Sequence, residues 1–385
     1  MSTRRTKQLS IGLCCLFLMI LTACGGSGGG STQGASANKN ATGNGGIAAV
    51  DTTPTTPRLG VQPCPTAVSD AVYWNPIVSA QEGVDAVASV TCASLTNTDA
   101  LQALVVVRYE GVGQNANIYV FTNITGPNPT QIFKLAKLYK GDAKISAYNT
   151  LLTAEVDQGS SVNATLTGAG YKQDLFREFK WSSGIGTLVP VSFPGIFPHL
   201  TRYEAESEQQ QVSQGKAQAL NATQIAGKLA ATLLKWPNDA ATTTVSGGNQ
   251  HDRDAVVAVK NNGKTITVAL SRLGGNTNNG IWEATSVTSD GTVITAPQGR
   301  DILNGTPTVT GNIAGDTTGK VKILDHLYTT IGTADVKGGT LFSATISYTA
   351  SFKGGTQEGL VILYSYGADG AVVGAVMLKE LLNNA

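Results

Sequence analysis

The feature that most constrains the fold of this chain is a two-residue alternation of apolar and polar side chains in short segments near its C-terminus. Every second residue from Phe342 to Tyr348 is apolar, and Ser343, Thr345 and Ser347 lie between them. A strand places successive side chains on opposite faces, whereas a helix needs a period near 3.6. Six or seven such segments, separated by turns, fall within residues 290–385. The spacing predicts a two-sheet β-sandwich domain there.

The composition supports β-structure outside the cytoplasm. Charged residues make up 14 % of the 385 residues, whereas a typical soluble domain has about 25 %. Lys and Arg number 27 against 26 Asp and Glu, so the chain lacks the basic excess of a nucleic-acid-binding protein. A Gly-rich, weakly charged chain of this kind is typical of extracytoplasmic proteins, and we predict no nucleic-acid partner.

Residues 61–200 predict a β-rich N-terminal domain. Runs rich in β-branched and aromatic residues are separated by turn residues such as Gly126-Pro127-Asn128-Pro129. The runs lie at residues 104–109, 117–121, 132–135, 151–156, 164–166 and 175–181. The pattern predicts a mainly β segment.

Residues 201–289 predict a small α+β domain inserted between the two β-rich ones. Thr201 with Glu204 forms a capping box that opens a largely solvated helix, and Asn221 with Gln224 forms a weaker one. The second helix carries one apolar face, made of Ile225, Leu229, Leu233 and Trp236. Asn262-Gly263 joins two strand-like runs and predicts a hairpin. The overall prediction is therefore a mainly β fold with a small helix-plus-sheet insert.

Residues 1–23 predict the signal peptide of a bacterial lipoprotein. A basic start, Arg4-Arg5, precedes an apolar run of eleven residues at 11–21, which is shorter than the roughly 20 residues of a membrane-spanning helix. Leu21-Thr22-Ala23-Cys24 resembles a lipobox. That resemblance implies that Cys24 carries the lipid and anchors the chain on the extracytoplasmic face of the bacterial membrane. An ordinary cleaved signal and a twin-arginine signal remain as alternatives.

Residues 24–60 predict the lipidated cysteine and a disordered tether. A Gly/Ser run at 25–31 is followed by a stretch rich in Asn, Thr, Ala and Gly, and then by Thr/Pro residues at 52–57. Such a composition offers little to bury and is typical of flexible linkers. The tether would hold the folded part away from the bilayer.

The five cysteines point to one disulfide. Cys14 and Cys15 leave with the signal peptide and Cys24 takes the lipid, so Cys64 and Cys92 remain in an oxidising compartment. We predict that this pair forms a disulfide bond. A redox or metal pair is the alternative, although neither a nearby His nor a Cys-x-x-Cys spacing supports it.

The C-terminal region resembles the immunoglobulin-like domain of bacterial spore-germination-associated proteins. The segments that carry the resemblance are 294–299, 308–313, 341–348, 359–365 and Asp369-Gly370. The match is looser at 302–307, where the family usually has an aliphatic residue followed by Pro. The whole chain is also similar to uncharacterised surface lipoproteins of spore-forming, filamentous bacteria. The resemblance implies an immunoglobulin-like sandwich and a link to sporulation or germination.

The sequence predicts no catalytic residue, cofactor or metal site. His251 with Asp252 and Asp254 could bind a cation, but adjacent residues of a strand point to opposite faces, which favours a solvated loop. Phosphate-loop, dinucleotide and zinc-protease motifs do not occur in the sequence.

These observations favour a non-catalytic lipoprotein that binds an envelope protein or a polysaccharide. The aromatic residues considered as contacts, each of which could instead pack in the core, are Trp74, Trp181, Trp282, Tyr364 and Tyr366. The alternative is an exported hydrolase of envelope polymers, with carboxylates or Ser in residues 61–200. A solute-binding lipoprotein would need two α/β lobes, which the sequence pattern does not predict.

Overall fold

A computed structural model describes residues 58–79, 85–109, 115–274, 279–315, 317–339, 341–352 and 354–383. The predicted signal peptide, Cys24 and most of the predicted tether lie outside these residues. Of the described residues, 46 % lie in strands and 11 % in helices, which confirms a mainly β fold. In the described ranges, no helix has both the length and the apolar character needed to cross a bilayer.

The first sheet is antiparallel and has the strand order β1-β2-β3-β4. Its strands are β1 (Asp85–Ala93), β2 (Gln102–Tyr109), β3 (Ala116–Thr122) and β4 (Thr130–Leu138). The two central strands are almost wholly buried because both of their faces are covered. A second sheet covers one face of these strands. The short helix α1 (Ala71–Trp74) packs on the other face, where its Trp74 lies beside Phe121. The near-continuous apolar sequences of β2 and β3 suit strands that are buried on both sides.

The second sheet packs on the first and has the order β5-β6-β7-β8. Its strands are β5 (Asp142–Ile145), β6 (Leu151–Glu155), β7 (Leu175–Ser182) and β8 (Thr187–Val191). The predicted strand at 164–166 was wrong, because these residues lie in the loop between β6 and β7. The buried Asn163 holds that loop: it donates to the carbonyl of Asp157 and accepts from the backbone N–H of Lys172. A side chain that bonds the backbone in this way competes with strand pairing.

Both predicted helix caps are confirmed. In α2 (Arg202–Gln209) the Thr201 side chain accepts from the N–H of Glu204, and in α3 (Ala222–Leu229) the Asn221 side chain accepts from the N–H of Gln224. A π-helical turn, Ala230–Leu234, continues α3. The apolar face predicted for this helix is buried in the largest core of the molecule.

A sheet of twelve strands among the described residues forms the rest of the fold. Its strands are β9 (Ala241–Gly247), β10 (Asp254–Asn261), β11 (Lys264–Ser271), β12 (Glu283–Ser289), β13 (Thr292–Ala296), β14 (Ile302–Asn304), β15 (Thr308–Ile313), β16 (Thr318–Leu324), β17 (Thr330–Lys337), β18 (Leu341–Thr345), β19 (Thr356–Tyr366) and β20 (Val372–Asn383). The main path runs β17-β16-β19-β20-β12-β11-β10-β9. The predicted hairpin is the β10–β11 turn, where Asn262 and Gly263 both have positive φ, +47° and +74°. Two successive positive φ angles are what a type I′ turn requires.

The C-terminal strands form two layers around one core, as a sandwich does. Strands β13, β15 and β18 make one layer and β16, β19 and β20 the other. Between them lie buried aliphatic side chains that include Val309, Val321, Val361 and Leu363. Strand β12 pairs with β20 through Val287 and Met377, so this sheet continues into residues 201–289. All described residues belong to one compact unit, and the predicted boundaries at 200/201 and 289/290 remain predictions.

The predicted pair Cys64–Cys92 lies at disulfide distance, with the two sulfur atoms 2.08 Å apart. The bond joins the segment before α1 to strand β1, where the backbone N–H of Gln62 also donates to the carbonyl of Cys92 at 2.8 Å. The N-terminal end of the described chain is therefore fastened to the first sheet.

Removal of the disulfide should weaken the fold measurably. The bond spans 28 residues, and the chain-entropy model gives a closed loop of that length about 3–4 kcal/mol of stability. We expect the Cys64→Ser, Cys92→Ser double variant to lose that amount in denaturant unfolding. Reductant should shift the wild type toward the double variant and leave the double variant unchanged. An unfolding midpoint equal to that of the oxidised wild type would contradict the prediction.

Candidate functional site

A group of buried polar side chains surrounds the linker of residues 192–200, which joins β8 to α2. We call this linker, with the five side chains of His199, Glu283, Tyr328, Glu358 and Lys379, the hub. The linker sequence Ser192-Phe193-Pro194-Gly195-Ile196-Phe197-Pro198-His199-Leu200 is mostly apolar, and Phe193, Ile196 and Leu200 are buried in the largest core. Its backbone polar groups therefore lie inside the protein and need partners there.

Three strands and the loop between β16 and β17 supply these partners. From β12, the backbone of Ala284 bonds Ile196 and Phe197 at 2.7 Å. From β20, the ammonium of Lys379 donates to the carbonyls of Gly195 and Leu200. The Tyr328 hydroxyl, beyond β16, shares its one proton between two further linker carbonyls at 3.0 and 3.2 Å. From β19, Glu358 accepts from the N–H of Phe193 at 2.8 Å.

Glu358 and Lys379 form a buried ion pair inside the hub. The distance between Lys379 Nζ and Glu358 Oε2 is 3.5 Å, and each side chain is 3 % exposed. Burial raises the pKa of Glu358 to about 7, against the opposing effect of the Lys379 charge. Burial also lowers the pKa of Lys379. The pair stays in the interior because Ser192 Oγ and the linker backbone satisfy the remaining polar atoms.

His199 connects the linker to α2 and β12. Its Nδ1 lies 2.8 Å from Glu283 Oε1, and its Nε2 lies 3.0 Å from Glu208 Oε2. Burial lowers the pKa of His199, but the bond to Glu283 and the negative charges around the ring outweigh this, so the pKa is above its ordinary value. A carboxylate on Nδ1 is the arrangement that orients a general base. Here the second nitrogen contacts a carboxylate rather than a nucleophile.

A second cluster, half-buried apart from the exposed Tyr148, lies beside the hub. We call Lys144, Tyr148, Phe176, Arg202 and Tyr203 the aromatic–cation group. The guanidinium carbon of Arg202 lies 4.5 Å from the ring centre of Tyr148, and Lys144 Nζ lies 3.8 Å above that of Tyr203. Tyr203 stacks on Phe176 with ring centres 4.6 Å apart. The bond from Arg202 Nε to Glu178 at 2.8 Å holds the guanidinium in place, and Tyr148 is 40 % exposed.

The aromatic residues considered from the sequence as contacts lie mostly in the cores. Trp74, Trp282 and Tyr364 are buried, while Trp181 and Tyr366 are half-buried against core side chains. The core alternative is therefore the correct one for the three buried residues. They are unavailable to a partner.

In the polar turn around His251, the carboxylates of Asp252 and Asp254 accept hydrogen bonds from nearby residues. Asp252 accepts from the N–H of Asn249, and Asp254 accepts from the hydroxyl of Ser271. Across the part of the chain that the structure describes, no three His, Cys, Asp or Glu side chains come together as a metal site. Cys24, the predicted lipidation site, lies outside the described residues.

Sequence reasoning missed the hub. In the structure His326 is buried and His199 is largely so. His199 and Glu283 are 84 positions apart, and Lys379 lies 184 positions from Gly195. One signal was present: Lys379 and Glu380 interrupt the otherwise nearly continuous apolar run of β20. A charge within such a run is costly to bury unless it is paired, and so it indicates a partner.

Comparisons with known proteins place the chain in no family. No family model and no curated protein matches it. Among solved structures, CopC from Methylosinus trichosporium OB3b covers 24 % of this chain and 94 % of its own, at 13 % identity and a TM-score of 0.19. The match to a protein of unknown function from Dyadobacter fermentans DSM 18053 covers 73 % of this chain and 91 % of that one, at 10 % identity and a TM-score of 0.18.

A third similar structure is a glycoside hydrolase family 43 arabinoxylan arabinofuranohydrolase from Bacillus subtilis, in complex with cellotetraose. It covers 76 % of each chain, at 10 % identity and a TM-score of 0.16. At TM-scores this low, none of the three likenesses carries an argument about this chain.

Proposed function

We propose that this chain is a lipid-anchored extracytoplasmic protein whose folded part is a non-catalytic binding module at the bacterial cell envelope. The anchor is inferred from the lipobox-like Leu21-Thr22-Ala23-Cys24. The binding role is carried by one observation, the aromatic–cation group held at the surface by the buried Glu178. Tyr and Arg side chains fixed in this way are typical centres of binding energy in interfaces.

The hub supports this proposal because its acid and base groups bind the protein itself. Glu358 and Lys379 bind each other and the linker backbone, and His199 binds two carboxylates. Such bonds make a rigid framework, and a pre-ordered surface loses less conformational entropy when a partner binds. The partner we propose is an envelope protein or a polysaccharide with acidic groups, which would suit the cations Lys144 and Arg202.

The anchor is tested by metabolic labelling with an alkyne fatty acid in a bacterial host. We expect Cys24→Ala to lose the label and to leave the membrane fraction, since the acylated thiol is absent. The matched control is the Cys14→Ala, Cys15→Ala double variant. Its cysteines lie in the segment predicted to be cleaved, so it should keep the label. Label retained by Cys24→Ala would refute the anchor.

The binding role is tested by crosslinking capture from the native envelope, with a soluble chain that starts at residue 58. Tyr148→Ala should lower the amount of captured partner about tenfold, because an exposed aromatic anchor is lost without leaving a buried group unpaired. Ile185→Ser is the matched control, since Ile185 is 71 % exposed and lies outside the aromatic–cation group. Equal capture by Tyr148→Ala and the wild type would contradict the role of this group.

The resemblance of residues 294–370 extends the proposal to sporulation or germination. A strain that lacks the gene should then germinate more slowly than its parent. Germination should recover when the full chain is supplied, but not when residues 290–385 are removed from it. An unchanged germination rate would remove this part of the proposal.

The alternative, an exported hydrolase, is favoured by one observation, the carboxylate of Glu283 on Nδ1 of His199. If it is correct, the purified chain should release sugars or peptides from envelope polymers, and His199→Gln should abolish the release. Glu208→Ala, which frees Nε2 of His199, should not abolish it. The binding proposal requires that neither protein releases products.

A further inference from the structure

We propose that Arg58, Leu59 and Val61 form a patch that lies on the surface of an anionic phospholipid bilayer. We call these three residues the root patch, because they lie where the predicted tether meets the fold. The inference rests on the proposed anchor at Cys24 and adds an interaction surface to it. It assigns a partner, the lipid surface itself, to a part of the molecule that the hub and the aromatic–cation group do not use.

The root patch presents two aliphatic side chains to solvent. Leu59 is 66 % exposed and Val61 is 60 % exposed, and Arg58 beside them is exposed as well. Single exposed apolar residues are ordinary on protein surfaces. Here two exposed aliphatic residues and a cation lie where the chain comes from the proposed membrane anchor. Such a combination suits the boundary between lipid headgroups and acyl chains.

The fold holds this segment in place on both sides. The buried Asn149 accepts from the N–H of Gly60 at 2.6 Å and donates to the carbonyl of Arg58 at 2.8 Å. The N–H of Gln62 donates to Cys92, which the disulfide ties to Cys64. Gly60 itself has a φ of +75°, a conformation that favours glycine. Leu59 and Val61 are thus exposed while the backbone around them is bonded to the fold.

The distance along the chain selects a lipid surface as the occupant. Residue 58 follows Cys24 by 34 positions (58 − 24). The tether predicted between them, taken as a flexible coil, would have a root-mean-square span of about 30 Å. A group tethered over such a span meets its target at an effective concentration on the order of millimolar, so weak contacts are enough. The bilayer that holds the anchor is then the apolar surface that the root patch meets most often.

The charges and rings near the root patch agree with an anionic lipid surface. Arg58 would approach the headgroups, where a cation is attracted to acidic lipid. Tyr148 precedes the Asn149 that holds the segment, and its ring is 40 % exposed. Tyrosine is enriched where apolar and aqueous phases meet. Contact at the root patch would also bring the aromatic–cation group close to the membrane.

The test couples Cys24 chemically to a maleimide phospholipid, using the chain of residues 24–385. Cys64 and Cys92 are bonded to each other, so Cys24 is the thiol available for coupling. Vesicles of phosphatidylcholine with phosphatidylglycerol carry the coupled chain, and the same chain with a capped thiol serves as reference. We expect amide exchange in a peptide spanning residues 58–63 to slow by about fivefold on coupling, because the bilayer covers the segment.

Two variants make the result specific. Leu59→Ser with Val61→Ser should restore the exchange rate of the uncoupled chain, because the apolar contact is gone. Ile185→Ser, a substitution of an equally exposed aliphatic residue, should keep the slowing. On anionic vesicles, Arg58→Gln should slow amide exchange at residues 58–63 less than the wild type does. The wild type should also show less slowing on vesicles of pure phosphatidylcholine than on anionic ones.

Two results would overturn the inference. One is an unchanged exchange rate at residues 58–63 while flotation shows that the chain is on the vesicles. The other is slowing in the uncoupled chain that grows with protein concentration, which would assign the root patch to a second copy. Because the coupling is chemical, neither result depends on whether cells acylate Cys24, and the labelling of Cys24→Ala tests that separately.

Discussion

Lys379→Met should lower the free energy of unfolding by about 3–5 kcal/mol at pH 7, the range expected when one partner of a buried ion pair is removed. The substitution leaves the Glu358 carboxyl in the interior without its cation, and it also leaves the carbonyls of Gly195 and Leu200 without a donor. Denaturant unfolding, followed by tryptophan fluorescence, measures the loss. Adding Glu358→Gln should recover part of the lost stability, because the unpaired acid is then removed.

A surface ion pair supplies the control for this prediction. Lys320 Nζ lies 3.1 Å from Asp335, and the two side chains are 37 % and 83 % exposed. Lys320→Met should cost less than about 1 kcal/mol, since water screens an exposed pair. Equal losses for Lys379→Met and Lys320→Met would mean that the hub does not stabilise the fold in the way its geometry indicates.

Glu380→Gln should make the protein more stable than the wild type at pH 8 and above. The Glu380 side chain is buried in β20, where Oε2 accepts from the N–H of Asp301 and Oε1 has no partner within the described residues. Burial raises the pKa of Glu380 from 4.5 to about 8, and the charge of Asp301 adds to the effect. The neutral carboxyl is therefore the form that the fold prefers.

The sign of the pH dependence follows from that preference. Between pH 4.5 and about 8 the unfolded chain ionises Glu380 while the folded chain keeps it protonated, so stability falls as the pH rises. The difference of about 3.5 pH units corresponds to on the order of 3–5 kcal/mol. Glutamine stays neutral and can still accept a hydrogen bond from the N–H of Asp301. The free energy of unfolding of the variant should therefore not show this fall as the pH rises. Parallel stability-versus-pH curves for the two proteins would contradict the prediction.

Local features of the fold were predictable because they depend on neighbouring residues. Thr201 and Asn221 cap their helices, and Asn262-Gly263 makes the hairpin turn, since each satisfies or shapes a few adjacent backbone groups. The disulfide followed from counting cysteines in a predicted exported chain. The strand expected at 164–166 failed for the same local reason, because Asn163 bonds the backbone of its own loop.

The hub could not be predicted, because its bonds join residues that are distant in the sequence. Lys379 meets Glu358 only after β19 and β20 pair, and both meet Gly195 and Phe193 only after the linker packs against that sheet. Similarly, only packing decided that Trp282 and Tyr364 would be core residues rather than contacts for a partner. Composition describes how apolar a side chain is, but not which surface covers it.

The sequence by itself determined the mainly β character, the two helix caps, the hairpin and the cysteine pair, because short-range backbone preferences and side-chain periodicity control these features. The tertiary structure alone decided three others: the partners of the buried charges, the continuation of one sheet from β12 into β20, and the bonds of Asn149 that hold the root patch. These depend on long-range pairing. Long-range pairing is stabilised by the burial of apolar area and by hydrogen bonds to buried polar groups. Both depend on residues far apart in the sequence, so no short stretch of sequence determines them.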